Sequence, residues 1–308
     1  MDVFSLRGEG MSEGQKARKK TSKGDRSGLS GGVTDCPSPV WVVGGGQMGG
    51  VVVRHLAATY SPGATVCVID PSPDTLKSMK QEGIDASASI PEMMKRSPGP
   101  KLLVLAVKPG VFMKKESDLV SALSTIPSDT LALSLMAGVP LEILSQRVPG
   151  LRWVRSMTNL ALSTGKGMTV LAANSRVNHA EQAFAYSLFS SMGRALWIPE
   201  ELFDAATAIA GSGPGLLALV AEALSDGGVR EGLSRETATL LSSWAIFGAG
   251  SLLCEKNLTP ELLKSKVASP SGTTIEGLSA LERQGVRGAL IDAVRCMTER
   301  SRNISHSD

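Results

Sequence analysis

The chain has 308 residues, 42% hydrophobic and 20% charged, enough for two ordinary domains with packed cores. Its formal net charge of +3 argues against nucleic acid as a partner, and 4% aromatics with two tyrosines argues against a platform for stacking single strands. Cys36, Cys67, Cys254 and Cys296 lie far apart, with no CxxC pair and no histidine at ligand spacing, so no metal site or disulfide framework is expected and a reducing, cytoplasmic compartment is.

Residues 1–37 carry Gly, Ser, Lys, Arg and Glu without apolar periodicity and read as a disordered leader. Asp2, Glu9, Glu13 and Asp25 speak against a transit peptide, which is poor in acids. Residues 40–43 (Val-Trp-Val-Val) then form an apolar run that ends in glycines, with a helix-compatible stretch over 50–58 behind it. Gly44, Gly46 and Gly49 have the G-x-G-x-x-G spacing in its required strand–turn–helix context. Gly44 allows the tight turn, Gly46 lets backbone reach a pyrophosphate, and Gly49 lets the helix approach the strand. The helix start at Gln47 and Met48 offers N–H groups and a positive dipole end to phosphates.

Residues 64–70 read as a second strand, broken by Pro71-Ser72-Pro73, with a helix from Asp74 or Thr75. Asp70 stands about 20 residues past the glycines, where an acidic residue binds a ribose 2′-hydroxyl, and Ser72 could donate to a 2′-phosphate. A solvent-facing turn residue is the alternative for Asp70. Residues 101–109 read as the next strand, continuously apolar from Leu102 to Val107, as suits a strand buried on both faces. Lys108 and Pro109 then fall at a strand's carboxyl end, where open α/β sheets bind ligands, unless Lys108 is merely a surface lysine. Strands follow at 130–139, with Ala137-Gly138 small enough for a flat ring to approach, at 151–159, ending on Asn159, and at 167–172, which is expected to close the sheet. Alternation of strands and helices predicts an α/β fold with a mostly parallel sheet.

From about residue 180 the pattern is helical and is expected to stay so, with helices over 181–192, 201–209, 216–229 and 235–255 and a break at Gly211-Ser212-Gly213-Pro214-Gly215. No unbroken apolar run reaches roughly 18 residues, so no membrane contact is expected. The broad apolar face of 235–255 predicts a partner subunit. Ser269-Pro270-Ser271-Gly272-Thr273-Thr274 opens a further helix with four hydroxyls and several free N–H groups, which is either a carboxylate cradle or an ordinary N-cap with a turn.

Taken together, Gly-x-Gly-x-Met-Gly (44–49), Ala-Val-Lys-Pro (106–109), Ala-Gly-Val (137–139), Arg-x-Met-x-Asn (155–159), Gly-Ser-Gly-Pro (211–214) and Ser-Pro-x-Gly-Thr-Thr (269–274) resemble, in that order, the pyrroline-5-carboxylate reductase family. The resemblance runs from about Val40 to Arg300 and implies a Rossmann-type NAD(P)-binding domain (38–198), an all-helical dimerisation and substrate domain (199–302) and a flexible tail (303–308). It implies reduction of a small cyclic imine carboxylate, 1-pyrroline-5-carboxylate, to L-proline by NADPH or NADH, without metal, in a homodimer or a ring of dimers. A protonated imine accepts hydride directly, so no strong base is needed, and His55, His179 and His306 indeed lie outside every motif.

By resemblance, Gly46, Gln47 and Met48 contact the pyrophosphate, Ser72 the 2′-phosphate, and Ala106, Val107, Lys108 and Ala137 the nicotinamide side, with Asn159 holding the adjoining loop. Gly272, Thr273 and the Ser269 hydroxyl would hold the substrate carboxylate, Thr274 the ring nitrogen, and Glu200 falls beside the substrate. The chain also departs from the family. Asp70 replaces a small or neutral residue and would repel a 2′-phosphate, which keeps NADH open. Leu160-Ala161 stands for Thr-Pro, Gly215-Leu216 for Ala-Tyr, and Ser271 for a glycine that would tolerate positive φ. These departures leave two alternatives: a non-catalytic NAD(P)-binding oligomer, or a related imine reductase with another substrate.

Overall fold

The structure is a computed structural model that describes residues 36–60, 63 and 65–304. The expected leader lies outside the described residues except for Cys36 and Pro37, and so does the expected tail from residue 305 on. The first half of the described chain alternates strands and helices. In order these are β1 (Val40–Val43), α1 (Gln47–Tyr60), β2 (Val66–Ile69), α2 (Pro73–Gln81), β3 (Asp85–Ser87), α3 (Ile90–Met94), β4 (Leu102–Leu105), α4 (Pro109–Met113), α5 (Asp118–Leu123), β5 (Leu131–Ser134), α6 (Leu141–Arg147), β6 (Arg152–Met157), β7 (Gly167–Ala173), α7 (His179–Ser190) and β8 (Gly193–Trp197). Helices follow: α8 (Phe203–Ala206), α9 (Gly213–Arg230), α10 (Arg235–Glu255), α11 (Pro260–Val267), α12 (Thr273–Arg283) and α13 (Val286–Ile304).

The eight strands form one sheet in the order β3-β2-β1-β4-β5-β6-β7-β8, parallel throughout except where β6 meets β7. Strand order reverses direction between β1 and β4, whose registers pair Val43 with Leu105. β1, β2, β4 and β5 are buried along their whole length, and two hydrophobic layers cover the two faces. One layer centres on Val42, Val53, Leu56, Val104 and Phe184, the other on Trp41, Leu103, Phe112, Trp153 and Phe203. Burial of this kind contributes roughly 25 cal/mol per Å² of apolar surface, which makes the sheet the main source of stability in this half.

Several expectations need correction. The sheet does not close on residues 167–172: β7 turns antiparallel to β6, and β8 pairs parallel with it as the outer strand. The chain is therefore not purely helical after 180. β8 begins at Gly193 (φ 150), where a Cβ would overlap the Gly167 carbonyl, so only glycine lets the two strands start that close together. β3, with a single buried alanine between Asp85 and Ser87, was not anticipated. Nor does the chain break at 211–215: Thr207–Gly211 forms a π turn that runs into α9, with Pro214 in the first turn, where a missing N–H costs nothing. α13 continues through Ile304, two residues into the expected tail.

Helices α9 to α12 have almost no buried side chains of their own. α9 buries Ser225, α10 buries Ala238 and Ser242, and α11 and α12 bury none. Leu219, Leu240, Trp244 and Ile291 are each about 60% exposed, and Trp244 and Phe247 meet edge to face at 5.4 Å. Residues 200–230 and 235–255 form two helices long and apolar enough to cross a bilayer by length and composition, contrary to the expectation drawn from unbroken runs. Trp153 is fully buried, and its indole donates to the Val148 carbonyl at 3.3 Å. Trp153→Ala should cost about 4 kcal/mol of unfolding free energy, read from the midpoint of a denaturant titration.

Candidate active site

The parallel strands β1, β2, β4, β5 and β6 all deliver their carboxyl ends to one edge of the sheet, so the loops after them share that edge. Gly44 (φ 94) turns the chain out of β1, and a Cβ there would sit 2.5 Å from the Ala106 carbonyl oxygen on the neighbouring strand's exit. A Cβ at Gly49 would overlap the Gly44 carbonyl, so the helix start is pressed directly onto the turn. Gly46 differs from both: a Cβ there meets nothing within 4 Å, and Gly46 and Gln47 are exposed at the tip. Met48 packs back on the core. The site thus offers a rigid glycine loop with one open position at the start of the 14-residue helix α1, a fit for a pyrophosphate.

Asp70 does not point to solvent. Its carboxylate accepts from the Gly45 N–H at 2.7 Å and the Ser72 N–H at 2.9 Å, and so braces the glycine loop against the exit of β2. Gly45, which the motif spacing does not single out, is needed here: a Cβ would lie 2.6 Å from Thr75 Cγ2. Ser72 is the N-cap of α2, accepting from the Thr75 N–H at 3.4 Å. Ala106, Val107 and Lys108 follow β4 as a loop, with Lys108 exposed and Pro109 opening α4.

Ala137 lies half-buried past β5, but the space beside Gly138 (φ 70) is already filled. A Cβ on Gly138 would meet Ile304 Cβ at 2.5 Å and the Ser301 carbonyl at 3.1 Å, so that glycine admits α13 and not a flat ring. Asn159 donates to the Ala210 carbonyl at 2.6 Å and accepts from the Ala161 N–H at 3.1 Å, tying the end of β6 to the π turn. A π turn shifts the usual helical pairing of its carbonyls, and it occurs often at functional sites.

Glu200 Oε1 accepts from the Leu141 N–H at 2.7 Å and from Arg155 Nη1 at 3.1 Å. Arg155, absent from the expected site, is 3% exposed, lies 4.4 Å above the Phe203 ring and has Asp204 at 3.7 Å. Burial pulls its guanidinium below the ordinary arginine value, opposed by Glu200 and Asp204. The sequence held a signal for it, a charge in the middle of the strand 152–157, because a buried charge needs paired acids nearby.

Ser269, Gly272, Thr273 and Thr274 stand apart from that edge. Gly272 is the N-cap of α12 without a side-chain cap, Ser269 and Thr273 are exposed, and Thr274 is half-buried. Among the described residues no hydrogen bond or ion pair ties 269–274 to the sheet. Ser271 does take positive φ, 57°, a conformation that costs a serine about 1 kcal/mol or more. Among the described residues no cluster of His, Cys, Asp and Glu could hold a metal ion.

Residues 200–304 match the family model described as pyrroline-5-carboxylate reductase dimerisation. A pyrroline-5-carboxylate reductase of Synechocystis is 36% identical over 85% of this chain and 97% of its own length. The chain belongs to the pyrroline-5-carboxylate reductase family. Among solved structures, a family reductase from Coxiella burnetii aligns with a TM-score of 0.77 at 29% identity, covering 87% of this chain and 99% of its own. A pyrroline carboxylate reductase from Plasmodium falciparum with NADP bound aligns at 0.74 and 26% identity, covering 88% and 99%. The N-terminal Rossmann fold followed by a helical dimerisation region is thus the fold of this reductase family.

The open and closed glycines allow a sharp test of the loop. Gly46→Ala should leave the melting temperature unchanged and weaken dinucleotide binding about tenfold or more in a fluorescence titration, because only a bound pyrophosphate would meet the new methyl. Gly49→Ala should lower both. Unweakened binding by Gly46→Ala would move the pyrophosphate away from this loop.

Proposed function

We propose that the chain reduces 1-pyrroline-5-carboxylate to L-proline with hydride from NAD(P)H, the last step of proline synthesis. The observation that carries this is the union, in one family member, of a rigid glycine loop open only at Gly46 with a helical segment that matches the reductase dimerisation model. Residues 38–198 hold the dinucleotide: Gly44, Gly46, Gln47, Met48 and Gly49 the pyrophosphate, and Ala106, Val107, Lys108, Pro109 and Ala137 the nicotinamide side. When bound, the reduced nicotinamide supplies the hydride. Residues 199–302 carry the substrate and the dimer contacts. The Thr273 N–H and the Ser269 hydroxyl hold the carboxylate beside Gly272, whose own N–H donates to the Ser269 carbonyl at 3.1 Å, and Thr274 hydrogen-bonds the ring nitrogen. The uncapped start of α12 supports this assignment, since its first-turn N–H groups have no side-chain acceptor.

The protein's part is to bind, orient and exclude water. The exposed apolar faces of α9 and α10, and the 640 Å³ groove between them lined by Ala218, Leu219 and Ser242, support a second copy of the chain as their cover, in a dimer or a ring of dimers, and not a membrane. The four free cysteines support the cytoplasm. In a coupled assay, purified protein should oxidise NADH or NADPH only when pyrroline-5-carboxylate is present. Thr274→Ala should cut turnover by about a hundredfold while leaving dinucleotide affinity intact. Absence of substrate-dependent oxidation with both cofactors would sink the reductase reading.

At the adenosine end we infer a preference for NADH. Asp70 is held in place as an acceptor by two backbone N–H groups and can accept a ribose hydroxyl as well, whereas a 2′-phosphate would meet its charge and that of Asp74 in the first turn of α2. Asp70→Ser should shift the NADPH:NADH affinity ratio about fivefold or more toward NADPH. An unchanged ratio would remove Asp70 from cofactor choice.

A further inference from the structure

The Arg155 cluster lies behind the candidate active site and joins three parts of the chain that are remote in sequence. From β6, Arg155 reaches Glu200 at 3.1 Å and Asp204 at 3.7 Å, both on the segment that leaves the sheet. Glu200 turns from Arg155 to the Leu141 N–H at 2.7 Å, a helix-start donor with no partner inside α6. Leu141 closes the loop that follows β5, the loop carrying Ala137. Asp204 in turn accepts from the Ser301 hydroxyl at 2.7 Å, in the last turn of α13. That turn returns to the same loop, with Ile304 and the Ser301 carbonyl packed on Gly138. The loop 137–141 is therefore held from two sides, by Glu200 at its end and by α13 packed directly on its middle, and Arg155 touches the acid that serves each side, Glu200 and Asp204.

We propose that Arg155, Glu200, Asp204 and Ser301 form a positioning network that fixes the loop 137–141 as the wall against which the nicotinamide is placed. None of the four supplies or receives the hydride. Glu200 serves by bridging, with Oε1 engaged by Leu141 and Arg155. Arginine is required because its planar fork faces two carboxylates at once, which a lysine's single ammonium cannot do. The Asp204–Ser301 link also makes the C-terminal turn of α13 part of the site, although residue 301 is about 160 positions from Ala137 in sequence. The network rests on the reductase reading for its catalytic consequence but not for its mechanical one.

The test therefore has two readouts on the full chain, for Arg155→Lys and the milder Ser301→Ala. By hydrogen exchange, amides in 137–141 should exchange about tenfold faster in both variants while those of the glycine loop 44–49 keep their protection. By kinetics with pyrroline-5-carboxylate, kcat should fall about tenfold or more with the dinucleotide KM within about threefold. With 4-deuterated reduced cofactor, the isotope effect on kcat should rise as hydride transfer becomes slower than release. Unchanged exchange at 137–141 in both variants overturns the network, and so does faster exchange with kcat and the isotope effect unmoved. If Arg155→Lys fails to fold, Ser301→Ala alone decides by the same criteria. An inactive wild type would overturn the reductase reading instead, and the exchange data would still decide whether the loop is held.

Discussion

The contact on which the site depends is the one between the Gly44 carbonyl and the backbone of Gly49. Any side chain at Gly49 would overlap that carbonyl, so α1 can lie as close to β1 as two backbones allow. This closeness fixes where the helix start points, over the carboxyl edge of the sheet at the place where strand order reverses. Neighbouring constraints follow from it. Gly44 must leave room for the Ala106 carbonyl, Gly45 for Thr75, and the Asp70 carboxylate fills the gap between Gly45 and Ser72. Gly44, Gly45 and Gly49 are thus locked by close contacts with neighbouring backbone and side chains. Gly46, whose carbonyl accepts from the Gly50 N–H at 2.7 Å, alone of these glycines has open space beside its Cα, which is what a loop built for an anion requires.

The two halves of the molecule are stabilised by different means. The sheet half has two complete hydrophobic layers, with Trp41, Trp153 and Phe112 fully enclosed. The helical half spends its apolar residues outward, and what holds it to the sheet is a small number of specific links. These include Asn159 to the Ala210 carbonyl, the close approach of Met157 to Gly211, the Arg155 ion pairs, Phe203 in a hydrophobic layer of the sheet, and Ile304 against Gly138. A buried ion pair like that of Arg155 gains little net free energy against an apolar substitute, since desolvation offsets attraction. Its value lies in direction: a guanidinium fork admits few arrangements of its partners, so it specifies geometry where hydrophobic packing would permit sliding.

The interior strands were legible because a parallel strand covered on both faces must be a continuous apolar run, and 40–43, 102–105 and 131–133 are. Their ends were not. Ala106, Val107, Leu135 and Met136 continue the apolar pattern beyond the hydrogen-bonded ladder, since the loops at that edge pack partly on the core. β3 and β8 escaped for a related reason. They are edge strands whose pairing, Cys67 with Asp85 and Gly167 with Gly193, is set by distant residues and leaves little trace in local composition. The glycine loop was legible because its spacing encodes a backbone geometry. Arg155 was not recognised, because its significance comes from three partners between 45 and 146 positions away or one step further along the chain of bonds.

The separation of the two binding elements bears on how the molecule works. The pyrophosphate loop is complete within one chain, fixed by its own sheet. The hydroxyl-rich start of α12 has no comparable support: Gly272 is uncapped, Ser271 is held at positive φ, and the surrounding helices expose their apolar faces. A strained residue persists only where its surroundings over-determine it. In the proposed reading those surroundings are completed when a second chain covers α9 and α10. Association then supplies both the missing hydrophobic burial and the rigidity of the carboxylate site, so the free energy of dimerisation and the order of the active site are coupled in one equilibrium. In the same reading the dinucleotide loop, by contrast, draws its rigidity from contacts that Gly44 and Gly49 make within one chain.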